Sequence, residues 1–359
     1  MNEDANLAGP APMEGHGEYN RKSSVQATGA VPALALLKKA AYGASLPTDD
    51  GAPVIVADYG SSQGRNSLVP MSAAIEVLRS RVGGSRPLSV VHTDLPGNDF
   101  SALFQLLDGD PASYLRGDPA VFASAVGRSF YEQVLPPASV SLGWSGWAVQ
   151  WLSRTPAMIL DHVQIACSRD ENARAAYARQ AAEDWATFLH QRSKELLPGG
   201  RLVILTMART DDGNFGYGPL LAAMYETLCA LADEGLILPE EKARMAIPTV
   251  GRTRMEFCDP FANGRIPELS LNHIEIFEGE DRIWEAFAAD GNARAFGAKW
   301  AAFSSASVLP TLASSLSGGA ADPRAAAFEA RMETGMAQRL ALSPEKMMIP
   351  LAALVLVRE

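Results

Sequence analysis

The sequence predicts an α/β fold: a doubly wound, Rossmann-like sheet carrying a mostly helical cap. Three observations lead there. Two apolar runs of strand length, "PVIVADYG" (53–60) and "LSVVHTD" (88–94), flank the helix-spaced stretch "SLVPMSAAIEVLRSRV" (67–82). Such uninterrupted apolar runs suit strands buried on both faces, as in a parallel sheet, so residues 53–94 read as a βαβ unit. A third apolar run, "RLVILTMA" (201–208), follows a long helical stretch, and 211–340 turns alanine-rich and helical.

The other elements follow the same alternation. Residues 1–12, rich in Gly, Pro and acids, read as a disordered tail, and 13–26 ("MEGHGEYNRKSSVQ") as a polar segment. "PALALLKKAAYGASL" (32–46) and "NDFSALFQLLD" (98–108) are predicted helices, and "SVSLGWS" (139–145) a strand. "AAYARQAAEDWATFLHQRSKELL" (175–197) is predicted as one amphipathic helix, stopped by "PGG" (198–200). Within 211–340 the best strand candidate is "IPELSLNHIEIFEG"; "MMIPLAALVLVRE" (347–359) ends in an apolar run expected to rejoin the sheet. The domain reading is a core over 13–210, a cap over 211–340 and a returning strand over 341–359.

Composition limits the function classes. The chain has 359 residues, 47% apolar, with a formal net charge of −10. Nucleic acids and anionic membranes reward basic surfaces, so neither is an expected partner. The three cysteines, Cys167, Cys229 and Cys258, are far apart and form no CxxC pair, which favours a reducing compartment over a disulfide framework. No apolar run approaches the ~18 residues of a membrane span. The N-terminal stretch lacks the apolar core of a secretory signal, so a cytoplasmic location is expected.

The loop after the first strand, "DYGSSQGRN", tests which cofactor the fold holds. A dinucleotide fingerprint needs GxGxxG, but Ser61 breaks the GxG. A phosphate-binding loop of the GxxxxGK[ST] type needs a lysine that is absent here. Asp58 at the strand end is also a poor neighbour for pyrophosphate. S-adenosylmethionine fits better. Its cationic portion is complemented by Asp58, its ribose diol can donate two hydrogen bonds to Asp94, and small residues allow close backbone approach. The rival reading, that both acids merely cap helices or turns, stays open on these residues alone.

The surrounding blocks carry a resemblance. "ADYGSSQGRN" resembles ADLGCSSGPN of the SABATH methyltransferases, the salicylate, benzoate, jasmonate and caffeine group. "HTDLPGNDFSALFQLL" is similar to their NDLPGNDFNxLF, "SFYEQVLPPASV" to SFYxRLFPxxSL and "SGWAVQWLSRTP" to SSYSLxWLSxxP. "PGGRLVILTMAR" is similar to xGGRMVLTxxGR, and "EYNRKSSVQ" to SYAxNSxxQ. The resemblance implies a class I methyltransferase sheet and S-adenosylmethionine as cofactor. It places Ser23, Asp58, Gly60, Asn66, Asp94, Leu95, Ser129, Phe130 and Ser145 at cofactor-binding positions. It places Gln26 and Trp151 as the pair holding a substrate carboxylate, and Trp147 at the reaction centre. A small-molecule carboxylic acid as substrate and a homodimer are further expectations of the family. On spacing alone Trp144, Trp147 and Trp151 would equally suit one packed helical face.

A carboxylate is ionised at neutral pH, so transfer of a methyl group to it needs proximity and line-up rather than a general base. Neutral donors such as Gln26 and Trp151 orient the oxygen without quenching it.

Several positions depart from the family pattern. Gly146 and Trp147 replace Ser and Tyr. Gln150 replaces an apolar residue and is assigned to the substrate pocket, where it would suit a second polar substituent. Leu221 falls where salicylate-type enzymes carry tryptophan. "RMAI" (Arg244 to Ile247) replaces a carboxylate-bearing segment linked to magnesium in some plant members, so no metal site is expected. These departures point to a member distant from the plant enzymes, bacterial or fungal. An N-methyltransferase of the caffeine-synthase kind, or a non-catalytic binder of the cofactor, are the alternatives.

Overall fold

A computed structural model describes residues 31–262 and 264–359. Its centre is a seven-stranded sheet built from β1 (Val54–Tyr59), β2 (Leu88–Asp94), β3 (Val121–Gly127), β4 (Val140–Gly146), β5 (Leu196–Met207), β6 (Leu269–Glu278) and β7 (Pro350–Arg358). The strand order is β3-β2-β1-β4-β5-β7-β6. The first five strands run parallel; β7 is antiparallel to both β5 and β6.

The apolar runs occupy both faces of the sheet. Val54 and Val56 of β1 point into one hydrophobic layer, and Ala57 and Tyr59 into the other. Val203/Leu205 and Leu202/Ile204 of β5 divide in the same way, as do Ala353/Val355 and Leu354/Leu356 of β7. This is why these strands read as continuous apolar runs rather than as alternation.

Helices α1 (Val31–Gly43), α2 (Leu68–Val82) and α3 (Phe100–Gly109) cover the first face; α4 (Glu171–Glu195) and α7 (Arg254–Ala262) cover the second. The remaining helices are α5 (Gly218–Asp233), α6 (Pro239–Arg244), α8 (Arg282–Asp290), α9 (Ala293–Ser307), α10 (Leu309–Ala313) and α11 (Ala325–Leu342). Their buried side chains, such as Met224, Trp300, Phe303, Phe328 and Met332, continue the core of the first face without a break.

One local expectation is corrected, and one alternative left open by spacing is excluded. The helix expected over 175–197 and stopped by "PGG" ends earlier, at Glu195, and "PGG" belongs to the following strand. Helix α4 starts at an Asp170 cap that accepts from the Asn172 and Ala173 amides, ends at Glu195, and Leu196 already pairs with Val140. The glycines lie inside β5, in a bulge between the pairs Val140–Leu196 and Leu142–Arg201. A side chain at Gly200 would sit 2.7 Å from the Leu197 carbonyl oxygen and 2.9 Å from that of Val140, so the bulge requires glycine there. Secondly, Trp144, Trp147 and Trp151 share no helix. Trp144 lies in β4, Trp147 has φ +57°, and Trp151 forms an isolated antiparallel bridge with Thr249.

No helix among the described residues is long and apolar enough to cross a membrane.

Candidate active site

The carboxyl ends of β1 to β5 share one edge of the sheet, and the strand order reverses between β1 and β4. Open α/β sheets bind ligands at such a switch point. Asp58 and Gly60 end β1, Asp94 and Leu95 end β2, Ser129 and Phe130 follow β3, and Ser145 and Trp147 end β4. The topology therefore gathers residues as far apart in the chain as Asp58 and Trp147. Ser23 and Gln26 lie outside the described residues.

The loop after β1 folds as its composition demands. Gly60 has φ +86°, and a side chain there would come within 2.4 Å of the Ala148 Cβ. Gly64, at φ +87°, opens a short turn of helix, Arg65–Ser67, that carries the half-buried Asn66. The Gly60 and Ser61 amides both donate to the Thr93 carbonyl, which pins the loop to the end of β2.

Asp58 is buried, and one of its oxygens lies 2.8 Å from Nδ1 of the fully buried His92. The other ring nitrogen lies 2.7 Å from the Tyr114 hydroxyl. An ionised carboxylate only accepts, so Nδ1 carries the proton and Nε2 accepts from Tyr114. Burial pushes the Tyr114 hydroxyl well above its ordinary pKa, which keeps it a donor. His92 is thus a spacer that orients Asp58.

Asp94 is held by backbone. Its Oδ2 accepts from the Ser62 amide at 2.7 Å and its Oδ1 from the Leu95 amide at 2.8 Å. Each oxygen retains a lone pair, so the carboxylate is aimed yet still able to accept from a diol. Burial pushes its pKa up to about 6, against the lowering pull of the two amides, with the nearby Asp58 charge adding to the rise. The Ser62 and Thr93 hydroxyls at the same strand edge are buried and have no partner among the described residues. The cradle at Gly60, the aimed Asp94 and these spare hydroxyls fit a cofactor with a ribose diol and a cationic end.

A pH dependence follows. Two hydroxyl donors on Asp94 favour its charged form, so cofactor binding expels the proton present at low pH. Affinity for S-adenosylhomocysteine is expected to be level above pH 6 and to fall as pH drops below it, by at most about tenfold per unit. Calorimetry from pH 5 to 8, in buffers of different ionisation enthalpy, should show proton release near pH 6. A flat profile without proton release would remove Asp94 from the diol site.

The segment after β3 is positioned from beneath. Arg192, fully buried on α4, donates to the Phe130 carbonyl at 2.6 Å and to the Glu132 carbonyl at 2.8 Å. Glu195 accepts from the Val134 and Leu135 amides and from the Tyr59 hydroxyl. Ser129 and Phe130 are half-buried at this edge. The Ser145 hydroxyl is fully buried and donates to the Tyr59 carbonyl at 3.0 Å, bracing β4 against the end of β1.

Beside this edge, beneath the cap, opens a cavity of about 630 Å³ including its mouth. Trp147, Gln150 and Trp151 form its floor; Met207, Phe215, Tyr217, Leu220, Leu221, Met224, Ile247, Phe303 and Val308 supply most of its walls. The Trp151 indole N–H has no partner among the described residues, while the Trp151 carbonyl accepts from the Tyr131 hydroxyl at 2.5 Å. Gln150 is in the lining but its amide is already engaged: Nε2 donates to the Trp147 carbonyl at 2.7 Å, and Oε1 accepts from Thr206 at 2.9 Å. These bonds hold the turn that carries the two tryptophans and leave the second Nε2 hydrogen of Gln150 unspent. Arg252, 2% exposed, donates to the Val149 carbonyl and locks the same turn against α4.

Leu221 lines the cavity, at the position singled out in the sequence. Missed by sequence reasoning were the His92 link, the Arg192–Glu195 support and the polar lining residues Gln164, Thr249, Ser304 and Ser307. Single polar residues in apolar context mark these positions, but only the folded chain shows which of them meet. Among the described residues no group of three or more His, Cys, Asp or Glu is placed to hold a metal ion.

Comparison with known proteins gives a consistent result. Residues 11–356 match the model of the S-adenosylmethionine-dependent carboxyl methyltransferase family. A methyltransferase designated FUS9 from Gibberella moniliformis is 32% identical over 246 residues, which span 67% of this chain and 64% of that protein. Salicylate carboxymethyltransferase of Clarkia breweri is 29% identical over 253 residues, 66% of each chain. In fold, a structure of loganic acid methyltransferase with S-adenosylhomocysteine superposes with a TM-score of 0.74 at 20% identity, covering 97% of this chain and 99% of that one. This chain belongs to the S-adenosylmethionine-dependent carboxyl methyltransferase family.

Proposed function

We propose that the protein is a carboxyl O-methyltransferase that forms the methyl ester of a small aromatic or apolar carboxylic acid. The observation that carries this reading is the tryptophan-floored, apolar cavity set against the loops that hold Asp58 and Asp94. S-adenosylmethionine, when bound there, supplies an electrophilic methyl group on a cationic sulfur. Asp58, fixed by His92, complements the cationic end, and Asp94 receives the ribose hydroxyls. The Trp151 N–H, with Gln26 as its expected companion, orients one carboxylate oxygen. The walls built from Met207, Leu220, Leu221 and Met224 strip water from that oxygen, which raises its nucleophilicity. No residue has to take a proton, because the acid enters ionised. Catalysis then rests on proximity and desolvation.

The test is incubation with methyl-labelled S-adenosylmethionine and a panel of benzoates, cinnamates, indole-acetate and terpenoid acids. Base-labile labelled esters are the expected products. Label appearing only on amines or on the ring nitrogens of xanthines would replace this reading with N-methylation.

A further inference from the structure

One pair of buried polar side chains in the cavity is left without a task. Gln164 is 1% exposed and Thr249 4% exposed, and both line the cavity. Gln164 Nε2 donates to Thr249 Oγ1 at 2.8 Å, and the Gln164 side-chain oxygen accepts from the Ala166 amide at 3.3 Å. The amide is therefore fixed in orientation. Thr249 Oγ1 spends one lone pair on it, and the Thr249 hydroxyl hydrogen has no acceptor among the described residues. A buried hydroxyl with an unspent donor is costly unless a ligand or water completes it.

Its location is defined by backbone. Leu152 N donates to the Pro248 carbonyl at 2.7 Å, and Val250 N donates to the Gln150 carbonyl at 2.9 Å. These bonds flank the Trp151–Thr249 bridge and make it a non-hydrogen-bonded antiparallel pair. In such a pair both side chains leave on the same face, with Cβ atoms about 4.5–5.5 Å apart. The spare donor of Thr249 therefore stands beside the indole of Trp151. Gln150, the polar residue that the sequence singles out for a second substituent, has its amide oxygen and one of its two N–H groups engaged, which fixes its orientation.

We propose that Thr249, held by Gln164, is a substrate-contacting donor that selects carboxylic acids bearing an oxygen acceptor within a few atoms of the carboxyl group. This rests on the reading of the cavity as the carboxylate site. Trp151 takes the carboxylate; Thr249 takes a hydroxyl or oxo oxygen close to it. An acid without that oxygen leaves the donor unpaired on binding, which lowers its affinity about tenfold.

The test is calorimetric titration of the full-length protein, saturated with S-adenosylhomocysteine, with two matched pairs. These are phenylacetate against mandelate, and 3-phenylpropanoate against 3-hydroxy-3-phenylpropanoate. At least one hydroxy acid is expected to bind about tenfold more tightly than its parent. Thr249→Val should erase that difference and Thr249→Ser should restore it, with S-adenosylhomocysteine affinity unchanged in both. Equal affinity within both pairs, a preference that survives Thr249→Val, or a preference lost in Tyr217→Phe instead overturns the assignment. Tyr217 is the apt control, since its buried hydroxyl, in the same cavity, also lacks a partner among the described residues. Ester formation, measured separately, keeps the two readings apart. Preference without ester overturns the function; ester without preference overturns the role of Thr249.

Discussion

Replacing Trp151 with phenylalanine is expected to lower kcat/KM for the acid substrate about 100-fold while changing S-adenosylhomocysteine affinity less than about threefold. The estimate is that of losing one preorganised donor in a water-poor site. The substitution isolates the N–H because the backbone around it is held by other groups. Tyr131 donates to the Trp151 carbonyl, Thr206 holds Gln150, and Arg252 holds Val149. A phenyl ring still fills most of the floor of the cavity, so the loss should fall on orientation rather than on packing. A donor that holds the reacting oxygen in line lowers kcat when removed; one that only anchors the acid raises KM. Both constants, measured with a methyl-accepting acid, separate the cases. Unchanged kcat and KM would show that the carboxylate lies elsewhere in the cavity.

What the sequence reveals and what it hides divide along physical lines. The strands β1, β2 and β5 were legible because burial on both faces leaves an unbroken apolar run. The placement of Asp58 and Asp94 at the ends of adjacent strands was legible because each closes an apolar run. The tryptophans were ambiguous, since spacings of three and four suit a helix, and only the positive φ of Trp147 and the Trp151–Thr249 bridge separate them. Gln150 was legible as polar but not as engaged, because its partner Thr206 lies 56 residues away. His92 reads as an isolated histidine until strand pairing sets it opposite Asp58. The cap is least legible: its lining is fixed by helix packing, and its alanine-rich sequence offers little periodic contrast.

The largest stability effect is expected from Arg192, which does not line the cavity. Its side chain and that of Glu195 are both fully buried and 2.9 Å apart, and the guanidinium also lies 4.3 Å from the centre of the Tyr59 ring. Arg192→Ala leaves the Glu195 charge buried with only the Val134 and Leu135 amides and the Tyr59 hydroxyl to offset it. It also strips the Phe130 and Glu132 carbonyls of their donors. Removing one partner of a buried pair costs about 3–5 kcal/mol, so chemical denaturation should show a loss of that size. The double change Arg192→Met with Glu195→Gln should recover part of it, since no uncompensated charge then remains. Cofactor affinity separates this role from general stability. The segment from Ser129 to Leu135 hangs on these two side chains, and Tyr59 ties them to the residue next to Asp58. The double variant is therefore expected to bind S-adenosylhomocysteine about tenfold more weakly even at temperatures where it is fully folded, the cost of about one lost hydrogen bond or its equivalent in loop ordering. Wild-type affinity in a folded double variant would show that the pair supports the fold alone.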